Sequence, residues 1–490
     1  MTARLIWTSI VCVVVGLVVS ASAIGDGAHG AGASGVGAYT SPPPGVDVLS
    51  GHAPDSVLLS RELYARSDEA ILVGRDALDD VAVRAAVERV AHDKHVPVLA
   101  VTPRTAPSVS DELRRLGVTT AVRLGQVDGV ADSRVRADLD DLRGNAPRAG
   151  TAPLVMLTRD APVDAIMTAR SAARVVEVPV PDPRATAESV ATMAAVASEP
   201  TAVRAVGSAF GTTDEFARRV EQARDTPQLP GGGQIIFPGR RMVALYGSPD
   251  APALGPLGRQ GIAASIDRVR RLAADYQRVS AEPVVPAFEI IASVASAEPG
   301  QGATYTNMID PEILRPWVEE AGRAGVYVTL DLQPGRMDFL TQARRYADLL
   351  AQPHVGLALD PEWRLEPDQV HLTQIGSVGA EEVNRTSDWL AGLVRSHQLP
   401  QKLLVLHQFD TGMLEDRRTI VTDREELQVI LHADGHGTPD VKMETWRRLV
   451  TDLPAGIWMG WKNFYTEDKP TFSPATTLAV RPSPWFVSYQ

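Results

Sequence analysis

Val355, Gly356, Leu357, Ala358 and Leu359 form a short apolar run that ends in Asp360-Pro361-Glu362-Trp363. An unbroken apolar run of this length predicts a strand buried on both faces, and Pro361, which has no N–H to give to a ladder, ends it. Asp360 and Glu362 stand two positions apart, so in extended chain both project to the same side, with Cβ atoms roughly 6–7 Å apart. Paired carboxylates beside an aromatic ring suit cleavage of a glycosidic bond, in which one acid protonates the leaving oxygen and one carboxylate attacks or activates water. Glu362 is the candidate acid, because an apolar Trp363 beside it would raise its pKa by desolvation. Asp360, Asp331, Asp434 and Glu289 all stand open as the second carboxylate, and Asp360 could instead orient Glu362 or hold its proton.

These acids recur at one end of a series of apolar runs. The run ends supply Tyr246, Glu289, Asp331, Gln333, Asp360, Glu362, His407, Gln408, Asp434, Trp461, Lys462 and Tyr489. Burying ionisable groups is costly unless they are paired or used, so their gathering at one end is informative. Trp363 and Trp461 are the expected sugar-stacking rings. Glu289, His407, Gln408, Lys462, Tyr246 and Tyr489 are the expected substrate contacts, and Lys462 could meet a carboxylate or phosphate or pair with Asp434. His432, Asp434 and His436, with His407 on the neighbouring run, are residue types that can ligate zinc or manganese. Barrel metallohydrolases of the amidohydrolase type carry His-x-His on their first strand, where this chain has Val243-Ala244-Leu245-Tyr246. No metal is therefore expected; His407 and Asp434 read as substrate contacts and His432 as structural.

The elements that must position these residues are strands predicted over 242–246, 285–292, 326–332, 355–359, 403–408, 428–432, 457–461 and 485–489. Helices are predicted over 260–279, 311–324, 338–351, 380–396, 439–450 and 474–480. Eight βα-type units in 241–490 fit the size of a (β/α)8 TIM-type barrel, whose site lies on the loops after the strands. An open doubly wound sheet is the alternative. Residues 46–226 have a different texture, in which short apolar runs alternate with amphipathic stretches: α/β modules on parallel sheets. The fold class is thus α/β throughout. Residues 227–240, opening Pro-Gln-Leu-Pro-Gly-Gly-Gly, read as the linker between the two regions. No Gly-x-Gly-x-x-Gly follows the first strand, so no dinucleotide, and no other cofactor, is expected.

Arg4, an apolar run over 5–19 and Ala21-Ser22-Ala23 compose a secretory signal peptide over 1–23, followed by a Gly/Ala/Ser-rich tether over 24–45. A membrane is a partner only if that segment stays uncleaved. Cys12, the single cysteine, lies inside it, so the exported chain would have no disulfide, no thiolate metal site and no cysteine nucleophile. A net charge of −12 with scattered lysines offers nucleic acid no basic stripe.

Residues 70–126 resemble a cell wall-binding repeat of type 2. The likeness rests on a strand followed by Asp76-Ala77-Leu78, on Val96-Pro97-Val98-Leu99, and on Leu113-Arg114-Arg115-Leu116-Gly117-Val118 before a last strand. The family's preceding Arg-Tyr-x-Thr-Ala signature is absent, with 61–65 in its place, and 154–210 would be a second, more eroded copy. The resemblance implies retention on a cell-wall glycan or anionic wall polymer. Leu357 to Glu362 resembles the Asp-x-Glu strand of barrel glycosidases such as the family 25 muramidases and, more loosely, the family 18 chitinases. The C-terminal half is also similar to actinobacterial secreted proteins that carry type 2 wall-binding repeats. The expectation is an exported, wall-associated glycoside hydrolase with Glu362 as acid/base; the alternatives are a non-catalytic wall-binding barrel and a metal-dependent hydrolase.

Overall fold

A computed structural model describes residues 37–130, 134–136 and 138–490. The signal segment and most of the tether lie outside the described residues. No helix among the described residues is long and apolar enough to cross a membrane.

Two four-stranded parallel sheets come first. One contains, in spatial order, Val98–Ala100, Glu69–Val73, Thr120–Leu124 and Arg134–Arg136. The other contains Gly45–Leu49, Ala202–Val206, Leu154–Thr158 and Arg174–Val178. Each repeat-like stretch supplies three strands of one sheet, but the chain starts in the second sheet, builds the first, and then returns. Helix Val163–Ala172 joins the two: Met167 packs with Ile71, Val98 and Val122, while Ala165 and Ala169 pack with Val155 and Leu157.

The C-terminal half is a closed barrel of eight parallel strands: β1 (Arg241–Gly247), β2 (Val284–Ala295), β3 (Tyr327–Leu332), β4 (Val355–Leu359), β5 (Lys402–Gln408), β6 (Leu427–Ala433), β7 (Trp458–Asn463) and β8 (Phe486–Tyr489). It closes because β1 pairs with both β2 and β8. The TIM-type barrel expected from the apolar runs is therefore the fold, and the open sheet is not. Helices follow β1, β2, β3, β4, β6 and β7; the β5–β6 connection has 3-10 turns in place of a helix.

Strand alternation divides each strand's residues between two environments. Val243, Leu245, Leu357, Leu359, Leu404, Leu406 and Leu431 face the helices. Ala244, Ala287, Tyr327, Ala358, Val405, Ile430 and Phe486 face inward, where Leu229, Ile236 and Phe237 join them and close the N-terminal end. The stretch expected to act as a linker is thus tied down. Ile236 N–H donates to the Gln401 side chain at 2.8 Å, and Gln401 N–H donates to the Gln234 carbonyl at 2.9 Å.

Lys402, at the start of β5, is fully buried and donates to the carbonyls of Gln352 and Val355, each at 2.7 Å. No carboxylate among the described residues pairs with it, and burial lowers its pKa to about 7. The unfolded chain keeps this proton up to its ordinary value near 10.5, so between about pH 7 and 10 the unfolded state binds more protons. Lys402 therefore contributes rising stability across that window. Lys402→Met should flatten this part of the pH dependence of the urea midpoint.

Candidate active site

Above the apolar plug, the inward positions turn polar. Tyr246, Glu289, Asp331, Asp360, His407, His432, Asp434 and Lys462 come from seven strands or strand ends and are all buried. His407 sits at their centre. Its Nδ1 lies 2.9 Å from Asp434 Oδ2 and its Nε2 lies 3.0 Å from Glu289 Oε1, with Asp331 Oδ1 at 3.8 Å. Tyr246 O–H donates to Asp331 Oδ2 at 2.8 Å, and the Lys462 ammonium lies 3.7 Å from the centre of the Tyr246 ring. His432 is deeper, with Nε2 at 3.2 Å from the Ser488 hydroxyl.

So many acids in a dry space cannot all be ionised, and the local cations decide which are. Burial alone would raise Glu289, but the charge and hydrogen bond of His407, with the charge of Lys462, overcome it and hold Glu289 at about 2. Asp434 is held low in the same way, its burial outweighed by the His407 bond and charge and by Lys462. His407 is driven well above its ordinary value: burial opposes the charge, and Glu289 and Asp434 more than compensate. His432 is lowered to about 3 by burial and stays neutral. Asp331 is raised by burial to about 6, and Asp360 is raised much further by burial and by Glu362. Glu289 Oε2, Asp331 Oδ1, Asp360 Oδ1 and Asp434 Oδ1 are buried with no hydrogen-bond partner among the described residues.

Asp360 and Glu362 do converge, by a different route from an extended strand. Asp360 leaves β4 pointing inward, and a 3-10 turn over Pro361–Trp363 carries Glu362 to the rim. Gly376 N–H donates to the Glu362 carbonyl at 2.8 Å, and a Cβ at Gly376 would lie 2.7 Å from that oxygen, so only glycine lets the loop close on this turn. Glu362 is partly open and is raised to about 7, first by burial and then by the charge of Asp434. The arginine of this turn does not neutralise it: Arg364 pairs with Glu382 at 3.2 Å. Trp363 is half-buried, edge-on to His371 with ring centres 5.5 Å apart, and its indole N–H has no partner among the described residues. Glu362, Trp363, His371, Leu372 and Ile375 line a recess of about 370 Å³. His371, Leu372 and Ile375 did not stand out in the sequence, since they lie in a loop with no strand to mark its direction.

Three expected contacts face the other way. Trp461 lies on the outer side of β7, its ring stacked on Phe472 at 5.1 Å and its N–H given to Asn463 at 2.9 Å. Tyr489 lies on the outer side of β8, its hydroxyl 2.8 Å from that of Tyr276. Gln408 is turned to the β5–β6 loop, where its amide donates to the Asp410 carbonyl at 3.0 Å and Arg417 donates to it at 3.0 Å. The reason is alternation: Lys462, Ser488 and His407, their chain neighbours, take the inward positions. Trp461→Ala should therefore cost about 3–5 kcal/mol of stability in urea unfolding.

The His-Ala-Asp-Gly-His run does not converge either, because His436 packs against Phe464 at 5.6 Å, away from His432 and Asp434. Glu289, His407 and His432, and likewise Asp360, His407 and Asp434, bring potential ligand atoms within 4.8 Å of one another. Both sets use His407, whose two nitrogens already bind Glu289 and Asp434, so a cation would have to displace one of those bonds.

No family model matches the chain, and no curated protein is similar to it. Solved structures of a xylanase and α-amylase inhibitor protein do match. One form in complex with trehalose has a TM-score of 0.31, and another, from Scadoxus multiflorus, has 0.29. Both are 12% identical and cover 51% of this chain and 92% of theirs.

Proposed function

We propose that the protein is an exported glycoside hydrolase that cleaves a cell-envelope glycan, with Glu362 as general acid. The observation that carries this reading is the opposed protonation of two carboxyl groups at the barrel mouth. Glu362 keeps its proton to about pH 7, while Asp434, bound to the charged His407, stays ionised. Two carboxyl groups pushed apart in this way are what acid/base cleavage requires. Glu362 protonates the glycosidic oxygen, and Asp434 attacks C1 or takes a proton from the water that does. Asp360 stays neutral beneath them, its pKa raised by burial and by the neighbouring Glu362, while burial and the Asp434 charge hold Glu362 protonated. Glu289 is the counter-charge that keeps His407 an imidazolium. Export and wall association are supported by the signal-like segment and by the repeat-like 70–126.

The test is reducing-end release from purified actinobacterial envelope fractions, with Glu362→Gln and Asp434→Asn alongside. Release by the native protein that disappears in both variants is the expected result. Retention of wall material without release by any of them would favour a non-catalytic binding barrel, and release abolished by chelators would favour a metal-dependent hydrolase.

A further inference from the structure

Three aliphatic side chains stand out in solvent on the β4 loop that borders Glu362: Val370 is 39% exposed, Leu372 85% and Ile375 52%. A loop this apolar at a rim calls for an explanation, since isolated exposed aliphatics are ordinary but a cluster beside a site is not. Leu372 also has φ +65°, a left-handed conformation that bulky residues rarely adopt. The loop is pinned on both sides of it. His371 Nε2 lies 2.9 Å from the Tyr305 carbonyl, and Gly376 N–H holds the Glu362 carbonyl. Leu372 is thereby presented outward and kept from folding back onto the barrel.

We propose that this lip receives an aliphatic chain carried by the leaving group, so that the substrate is a glycoside whose sugar is joined directly to an alkyl or isoprenoid alcohol. The proposal rests on Glu362 being the acid. A general acid must sit within hydrogen-bond reach of the glycosidic oxygen, so whatever lies beyond that oxygen on the leaving side extends over the recess that Glu362 shares with Leu372 and Ile375. No lysine or arginine lines that recess, so nothing in it would neutralise a phosphate between sugar and chain. Besides Glu362, its polar groups are the Trp363 indole N–H and the side chains of His371, Thr373 and Gln374, the last three already bonded to backbone carbonyls, which leaves little to meet a second sugar's hydroxyls. In the reaction the Glu362 proton passes to the glycosidic oxygen and the C1–O bond breaks. The chain leaves as an alcohol, and water supplies hydroxyl to C1 while its proton returns to the carboxylate pair.

The experiment compares octyl glycosides of glucose, galactose and mannose, in both anomers, with disaccharides of the same sugars, using the full-length protein. Binding is read separately as quenching of tryptophan fluorescence by the ω-bromo-octyl glycosides, with Trp363→Phe identifying the quenched ring. The expected result is faster cleavage of octyl glycosides, with the octyl-to-disaccharide ratio of kcat/KM falling about tenfold or more in Leu372→Ser/Ile375→Ser. A disaccharide preference that the double variant leaves unchanged overturns the proposal. So does quenching that is absent, or that persists in Trp363→Phe. Equal quenching by brominated phosphatidylcholine vesicles containing no glycoside overturns it in favour of a membrane-docking lip. Lack of cleavage of every glycoside, with quenching intact in the native protein and lost in the double variant, overturns the hydrolase reading while leaving an alkyl-binding lip.

Discussion

Glu362→Gln is expected to lower sugar release by about 10²–10⁴-fold while the barrel stays folded. Glutamine keeps the size of the side chain and the Gly376 contact to the backbone, and removes only the proton that the leaving oxygen needs. The pH behaviour makes the prediction specific. The native rate should fall as pH rises through about 7, where Glu362 loses its proton, and the residual rate of the variant should lack that limb. Stability should move the other way. A carboxyl whose folded pKa is raised above its unfolded value contributes stability that is present below about pH 4.5 and is lost as pH rises through about 7. The variant should therefore match the native urea midpoint near pH 4 and exceed it at pH 8. Equal midpoints at pH 8 would mean that Glu362 ionises freely and is no acid.

His407→Leu should cost about 3–5 kcal/mol at neutral pH, because it leaves Glu289 and Asp434 buried without the imidazolium that pairs with both. In the native protein, the Glu289 contribution is present above about pH 4.5 and is lost as pH falls through about 2. The His407 contribution is present below its ordinary 6.5 and is lost only as pH rises through its raised folded value. The centre therefore holds its full contribution from weakly acidic to neutral pH. Without the imidazolium both acids retain protons, their ionisation opposes folding, and the deficit in urea midpoint should be smaller at pH 4.5 than at pH 8. Turnover should disappear as well, since a protonated Asp434 can neither attack nor accept a proton. A deficit independent of pH would reduce His407 to a packing residue.

The barrel was legible because its signals are local. Each strand is an apolar run closed by a polar residue, and β4 at Val355–Leu359 has the bounds its sequence predicts, with Pro361 ending it. Asp331, Asp360 and Asp434 could be placed at the mouth on the same grounds. The β5–β6 connection carries no helix, and nothing was predicted there because 409–426 has no apolar periodicity. The 227–240 segment reads as a linker from its prolines and glycines, yet within it Leu229, Ile236 and Phe237 close the barrel floor. Leu229 and the short Ile235-Ile236-Phe237 run, separated by proline and glycine, make no strand or helix pattern until a cavity exists to receive them.

The sequence alone determined which residue types gather at the C-terminal ends of the strands, because the run of apolar residues and the break that ends it are properties of neighbouring positions. Only the tertiary structure decided between adjacent positions: His407 over Gln408 and Lys462 over Trp461 among the candidates, and Ser488, which the sequence did not single out, over Tyr489. Both faces of these strands are buried, so apolar pattern does not reveal which face looks inward, and closure of the barrel settles it. The tertiary structure alone also distributed the protons. Glu362 stays an acid and Asp434 a carboxylate because His407, Lys462 and the other buried acids, brought from distant parts of the chain, fix the local charge where little water remains to screen it.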